Sequence, residues 1–261
     1  LKLVSMPTGG TLPKGTFTLE TLLMNNGGVL PSFSLGLTDN LTLGFSYGIQ
    51  EFIGIGNFQK NKSYPEVQLK YRIFEETEAK PSILIGLDTQ GKGKYNDDKE
   101  RYEQKALGVY FVFSRNYEML GNLGTHIGLS KNLFENSDGD EDINIYFGFD
   151  KELNRSFSLL VEYDFARNDD DEQNEDTFIR KGRGYLNAGL RWSATSNLML
   201  EINVNDISRN NKYTENNSEY DSMNREIKII YYEIEVLSVS RDFRAAIFVW
   251  PFLSCQLSAR S

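Results

Sequence analysis

The sequence predicts an all-β chain, a transmembrane antiparallel up-and-down β-barrel of about twelve strands, on three observations. In Leu41 to Ile49, the residues Leu41, Leu43, Phe45, Tyr47 and Ile49 alternate strictly with Thr42, Gly44, Ser46 and Gly48. The pattern returns about a dozen times, with large apolar residues on one face and Gly, polar or charged residues on the other. The connections alternate short and long, as a bacterial barrel alternates short periplasmic turns with longer extracellular loops.

The strands follow in order. The first half carries Thr16 to Met24, Val29 to Leu37, Leu41 to Ile49, Glu66 to Phe74, Ser82 to Gln90 and Glu103 to Ser114. The second half carries Leu123 to Ser130, Ile143 to Asp150, Ser156 to Phe165, Gly184 to Ser193, Leu198 to Asp206 and Asn224 to Tyr232. Each is about as long as a tilted membrane strand must be. The apolar sets skip one residue at a time: Val67, Leu69, Tyr71 and Ile73; Leu107, Val109, Phe111 and Phe113; Ile143, Ile145, Phe147 and Phe149; Leu198, Leu200, Ile202 and Val204. The opposite faces carry Gln68, Lys70, Arg72, Asp88, Asp150, Glu162, Asp164, Asn187, Arg191, Glu201, Glu226 and Lys228.

Short links at 38–40, 75–81, 115–122, 151–155 and 194–197 interleave with long ones at 50–65, 91–102, 131–142, 166–183 and 207–223. Only Asn25-Asn26-Gly27-Gly28 is short where a longer loop is due, and its residues suit a tight turn. An even strand number puts both ends of the barrel on the periplasmic side. Residues 1–14 form a lead-in segment, 15–232 the barrel and 233–261 an appendage that breaks the pattern with the apolar run from Ala245 to Leu253.

Composition agrees. Hydrophobic content is 39% and mean hydropathy is −0.45, too polar for spanning helices, which need roughly 20 consecutive apolar residues. A barrel escapes that test because only alternate strand residues need be apolar. Net charge is −9, so no basic footprint for nucleic acid is present. The single cysteine, Cys255, excludes an internal disulfide framework. The opening LKLVSMPTGG lacks the charged and apolar regions of a signal peptide, so a bacterial outer-membrane location carries the expectation of a removed leader.

A soluble sandwich or soluble barrel would alternate too. The aromatics Phe157, Tyr163, Phe165, Trp192 and Tyr231 near strand ends favour the membrane, where aromatic girdles belong.

Candidate chemistry is sparse. The sole histidine, His126, faces the lumen by parity; Ser130 shares its face but lies four residues on, about 13 Å away. A serine hydrolase needs base and hydroxyl in contact, so only an adjacent strand could complete one. Asp138, Asp140 and Asp142 alternate as in some calcium loops but lack the glycine and glutamate of an EF-hand. The run Asp169 to Asp176 and the basic Arg180, Lys181 and Arg183 read as solvated loop, with divalent-cation bridging to anionic surface glycans as the functional alternative for the acidic clusters. Gly54-Ile55-Gly56 precedes no helix to receive a phosphate.

The segments PTGGTLPKGTF, NNGGVLPSFSLGLTDNLTLGFSYG, VQLKYRIFEE, GNLGTHIGLS, DKELNRSFSLLVEYDFA, GRGYLNAGLRWSATSNLMLEI and NREIKIIYY together resemble the YjbH-like outer-membrane barrel proteins, over most of residues 7–232. The motifs are strand and turn patterns, so the resemblance bears on fold and location more than on activity. It implies a setting in exopolysaccharide production or export.

The sequence therefore leads to a non-enzymatic, porin-like outer-membrane barrel without cofactor, surrounded by outer-membrane lipid. It would serve exopolysaccharide assembly or export, or passage of small polar solutes. The lumen candidates are Lys70, Arg72, Asp88, Glu162, Asp164, Arg191, Glu201 and Lys228. Partners are a polysaccharide or small polar solute and no nucleic acid. The rival readings are a scaffold barrel with a sealed lumen and acidic ligand-binding loops, and a barrel lipid hydrolase using His126.

Overall fold

The computed structural model describes residues 2–54, 59–137, 139–169, 179–180, 182–215, 218–221 and 223–233. The appendage beyond Glu233 (which holds Cys255), Asp138, the acidic run from Asp170 to Asp176 and Lys181 lie outside them.

Twelve strands form the wall: β1 (Phe17–Leu23), β2 (Val29–Thr38), β3 (Leu41–Ser46), β4 (Glu66–Phe74), β5 (Ser82–Asp88) and β6 (Gly108–Glu118), then β7 (Asn122–Lys131), β8 (Asn144–Glu152), β9 (Phe157–Asp164), β10 (Tyr185–Ser193), β11 (Leu198–Asn205) and β12 (Asn224–Glu233). Each pairs antiparallel with its sequence neighbours, and β1 closes the ring on β12 with Phe17 opposite Glu233 and Leu23 opposite Ile227. Closure removes both sheet edges, so every wall strand has a partner on each side. Among the described residues no helix is long and apolar enough to cross a membrane; any crossing is by strands.

The period of two sorts the side chains. Phe45, Ile127, Phe147 and Ile202 stand exposed on the outside, while Glu162, Glu201, Asn187 and Asn203 are buried inside. A soluble protein inverts this arrangement, because apolar surface left in water costs roughly 25 cal/mol per Å². Aromatics gather at both ends of the outer wall. Phe157 stacks on Trp192 at 6.2 Å at the short-loop end, and Tyr163 meets Phe165 edge-on at 5.0 Å at the long-loop end.

Two predicted strands end differently. Leu41 to Ile49 stops at Ser46, and Ile49–Gln50 makes a separate short pairing. Glu103 to Ser114 divides in two: Arg101–Gln104 turns back on Lys92–Asn96, and β6 starts only at Gly108. Gly108 has φ +68°, a left-handed conformation that breaks the alternation. Leu107, predicted on the outer face, consequently packs inside against the cluster of Met6, Leu84, Tyr110, Val112 and Tyr146.

Residues 2–14 are more than a lead-in. They enter the barrel and fold into a tight inner turn, with the Leu3 N–H donating to the Met6 carbonyl at 2.8 Å and Lys2 bridging Pro7. Leu3 and Val4 are buried against Leu160 of β9, and Met6 joins the cluster around Leu84.

Candidate functional site

The lumen holds the chemistry. The charged side chains point inward because each occupies the inner parity of its strand, and within the ring they meet one another and the inserted segment.

Glu162 on β9 is the main receptor for that segment. Its carboxylate accepts the backbone N–H groups of Ser5 (3.0 Å) and Met6 (2.9 Å) and the side-chain amide of Asn187 (2.9 Å). Charge-assisted bonds of this kind are about twice as strong as neutral ones. Lys228 donates to the Val4 carbonyl at 3.0 Å and Arg191 to the Lys2 carbonyl at 2.9 Å. The Lys2 ammonium pairs with Asp88 at 2.7 Å. Toward the short-loop end, the Leu12 N–H donates to Thr42 at 2.9 Å and the Thr11 hydroxyl to the Asp39 carbonyl at 2.7 Å.

Glu201 is fully buried between Arg191 at 2.5 Å and Lys228 at 3.1 Å. Two cations around one carboxylate compensate a desolvation that would otherwise cost several kcal/mol per ion. Asp164 accepts from Asn144 at 2.6 Å and from the Ala166 N–H at 2.9 Å. Lys70 lines the cavity described below. Arg72 departs from the expectation of a lumen role: at the short-loop rim it donates to the Asp39 carbonyl at 3.0 Å and to Asn40 at 3.1 Å, so it fastens the β2–β3 turn.

His126 is buried, and the structure supplies the partners that the sequence did not. Its Nδ1 lies 2.7 Å from Ser114 Oγ on β6 and its Nε2 lies 2.8 Å from Asp150 Oδ1 on β8. Ser114 sits directly opposite His126 in the β6–β7 register. Ser130, the residue on the same strand, makes no hydrogen bond through its buried hydroxyl. Hydroxyl, imidazole and carboxylate in series form the constellation of an activated serine. Here the hydroxyl is already engaged: Ser114 Oγ accepts the Gly9 N–H at 2.8 Å, and Ser82 donates to the Gly9 carbonyl at 3.1 Å. A Cβ at Gly9 would stand 2.8 Å from Ser114 Oγ and 3.0 Å from Ser82 Oγ, so only glycine fits this clasp. In this arrangement the serine holds the inserted segment, not a substrate.

The long-loop mouth is crossed by the hairpin of Lys92–Asn96 and Arg101–Gln104. Lys92 reaches Glu226 on β12 at 3.0 Å, beyond β4, β3, β2 and β1 from the hairpin's root on β5. Arg101 pairs with Asp169 at 2.8 Å, and Tyr102 donates to Glu66 at 3.0 Å. Lys62 lies over the rings of Tyr95 (4.4 Å) and Tyr102 (5.0 Å) and pairs with Glu66, a cation–π arrangement that fixes the hairpin to the β3–β4 loop. The same burial, with the Glu66 carboxylate beside it, pushes the Tyr102 phenol far up. Next to the hairpin root, Glu135 accepts the Ala106 N–H at 2.9 Å, and burial pushes its carboxyl up to about 7.

Between the inserted segment and this hairpin lies a cavity of about 130 Å³. From Lys2 to Gly9 the segment bonds to β5, β6, β9, β10 and β12, and Leu12 then reaches Thr42 on β3. The cavity passes Thr18, Glu20, Ser32, Ser34, Gln68 and Lys70 on β1, β2 and β4 and touches Asp88, Asp164 and Lys228 opposite them. Of the acidic loop candidates, Asp140 accepts the Asp142 N–H at 3.2 Å and Lys105 donates to the Asp140 carbonyl at 3.0 Å. Among the described residues no group of three or more His, Cys, Asp or Glu side chains could hold a metal ion.

No protein-family model matches the chain, and no curated protein matches it. Among solved structures the fold is similar to the KdgM porin, with a TM-score of 0.50 and 10% identity over 83% of this chain and 98% of that one. The NanC porin aligns over 84% of this chain and 100% of that one, with a TM-score of 0.43 and 8% identity. At such identity the KdgM likeness concerns the fold: a closed antiparallel barrel of the outer-membrane type.

Proposed function

We propose that this protein is a non-enzymatic outer-membrane channel for small polar solutes, its conductance limited by residues 2–14 inside the lumen. The observation that carries the reading is the inverted sorting of side chains in a closed ring, apolar outside and charged within, around a cavity left beside the inserted segment. Short loops would face the periplasm and long loops the exterior, as in bacterial barrels generally. The resemblance to YjbH-like barrels adds the setting of exopolysaccharide production or export, and that part of the proposal rests on the resemblance alone. Lipid of the outer membrane is then the surrounding partner.

Planar-bilayer recording of detergent-refolded protein tests the reading. Small, unitary conductance steps are expected, growing when Glu162→Ala frees the inserted segment. A bilayer that stays silent with both proteins overturns the channel and leaves a sealed scaffold barrel.

A further inference from the structure

We infer that the solute taken by this lumen is a small neutral polyhydroxylated molecule, a sugar or polyol, held along β1 to β4; the inference rests on the channel reading above. The polar groups of the lumen are used in two ways. Ser82, Ser114, Glu162, Arg191 and Lys228 all spend their polar atoms on the inserted segment. Ser32 and Ser34 on β2 take no part in holding it and face the cavity. The register sets them beside further neutral groups: Thr18 opposite Ser34, Ser32 opposite Ser46, and Gly44 opposite Gln68. Hydroxyl and amide groups both donate and accept, as the hydroxyls of a polyol do.

The face itself carries one charge of each sign, Glu20 on β1 opposite Ser32 and Lys70 on β4, and so no net charge, and the charges around it are paired. Lys2 pairs with Asp88, Lys92 with Glu226 and Lys228 with Glu201. A carboxylate or ammonium solute would meet a charge of its own sign on this face as well as the opposite one, and displacing one half of a neighbouring buried pair is costly. A neutral solute meets no such opposition. Leu22, Leu30 and Leu12 on the same cavity add apolar contact suited to the C–H face of a sugar ring. Size agrees: at ~10–15 Å³ for each water on this measure, a cavity of about 130 Å³ holds on the order of ten waters, the bulk of a monosaccharide.

The test is uptake of labelled glucose and labelled glucuronate into proteoliposomes of the full chain, with KCl conductance recorded on the same preparation. Glucose is expected to enter roughly tenfold faster, a preference of about 1.4 kcal/mol. Ser34→Leu is expected to slow glucose several-fold more than it lowers KCl conductance; Ser32→Val serves if that variant does not refold. Glucuronate entering as fast as glucose through a conducting protein overturns the inference and spares the channel. A protein that neither conducts nor admits either solute overturns both.

Discussion

Ser114 and Gly9 meet through a single hydrogen bond, the glycine N–H donating to the serine hydroxyl at 2.8 Å, and that bond connects the wall to the segment inside it. Behind Ser114 stand His126 and Asp150, each at hydrogen-bonding distance from the next. The three strands β6, β7 and β8 therefore present one oriented oxygen to a peptide whose lack of a side chain lets it approach. If the clasp holds the segment, Gly9→Val should displace it while leaving the outer wall intact. Bilayer conductance should rise, and heat-modifiable gel mobility should stay that of the folded barrel.

Removing the imidazole acts differently. His126→Leu leaves the Asp150 carboxylate buried without its ring partner, a loss of about 1–3 kcal/mol. Urea unfolding in detergent should show that loss, and Ser114→Ala should cost about 1 kcal/mol. An equal cost for the two variants would mean that Asp150 finds another partner.

Arg191 and Glu201 test the buried charge network. Arg191→Met removes the closer of the two cations around a fully buried carboxylate, and breaking such a pair typically costs 3–5 kcal/mol. The double variant Arg191→Met with Glu201→Leu should recover much of it, because the uncompensated carboxylate is gone. A double-mutant cycle in urea reads the difference.

Glu135 gives the protein a pH dependence outside the wall. Burial raises its carboxyl to about 7 in the folded state, above the ordinary value of 4.5. The folded protein therefore holds a proton that the unfolded chain has released between those values, and stability falls as pH rises through that window, by about 1.4 kcal/mol per unit at most. Urea unfolding in detergent should show stability falling from pH 5 toward pH 7, and Glu135→Gln should flatten that dependence.

The wall was legible because a strand in a one-layer ring declares its inner and outer faces in every second residue. Glu66 to Phe74 has the same bounds in sequence and structure, and most other strands agree to within two residues. The inserted segment was not legible. KLVSMPTGGTLP has no period, and nothing in its composition says that its backbone groups will find Glu162, Arg191 and Lys228 more than a hundred residues away. The partners of His126 were hidden for a related reason: parity gives a face, whereas Ser114 becomes a neighbour only through the register between two strands. Arg72 had the right parity and still left the lumen, because a long side chain near a strand end reaches the turn carbonyls first.

The seven residue pairs that join β1 to β12 have a kinetic consequence. They bring together the two ends of the wall, and the inserted segment lies immediately before the first of them in the chain. The seam can be completed with the segment already inside, or the segment must enter a finished cylinder from its short-loop end. In the first order of events its polar contacts with Glu162, Arg191 and Lys228 form while that side of the ring is still open. The segment would then act as an internal template, drawing β9 to β12 round until the last strand finds the first.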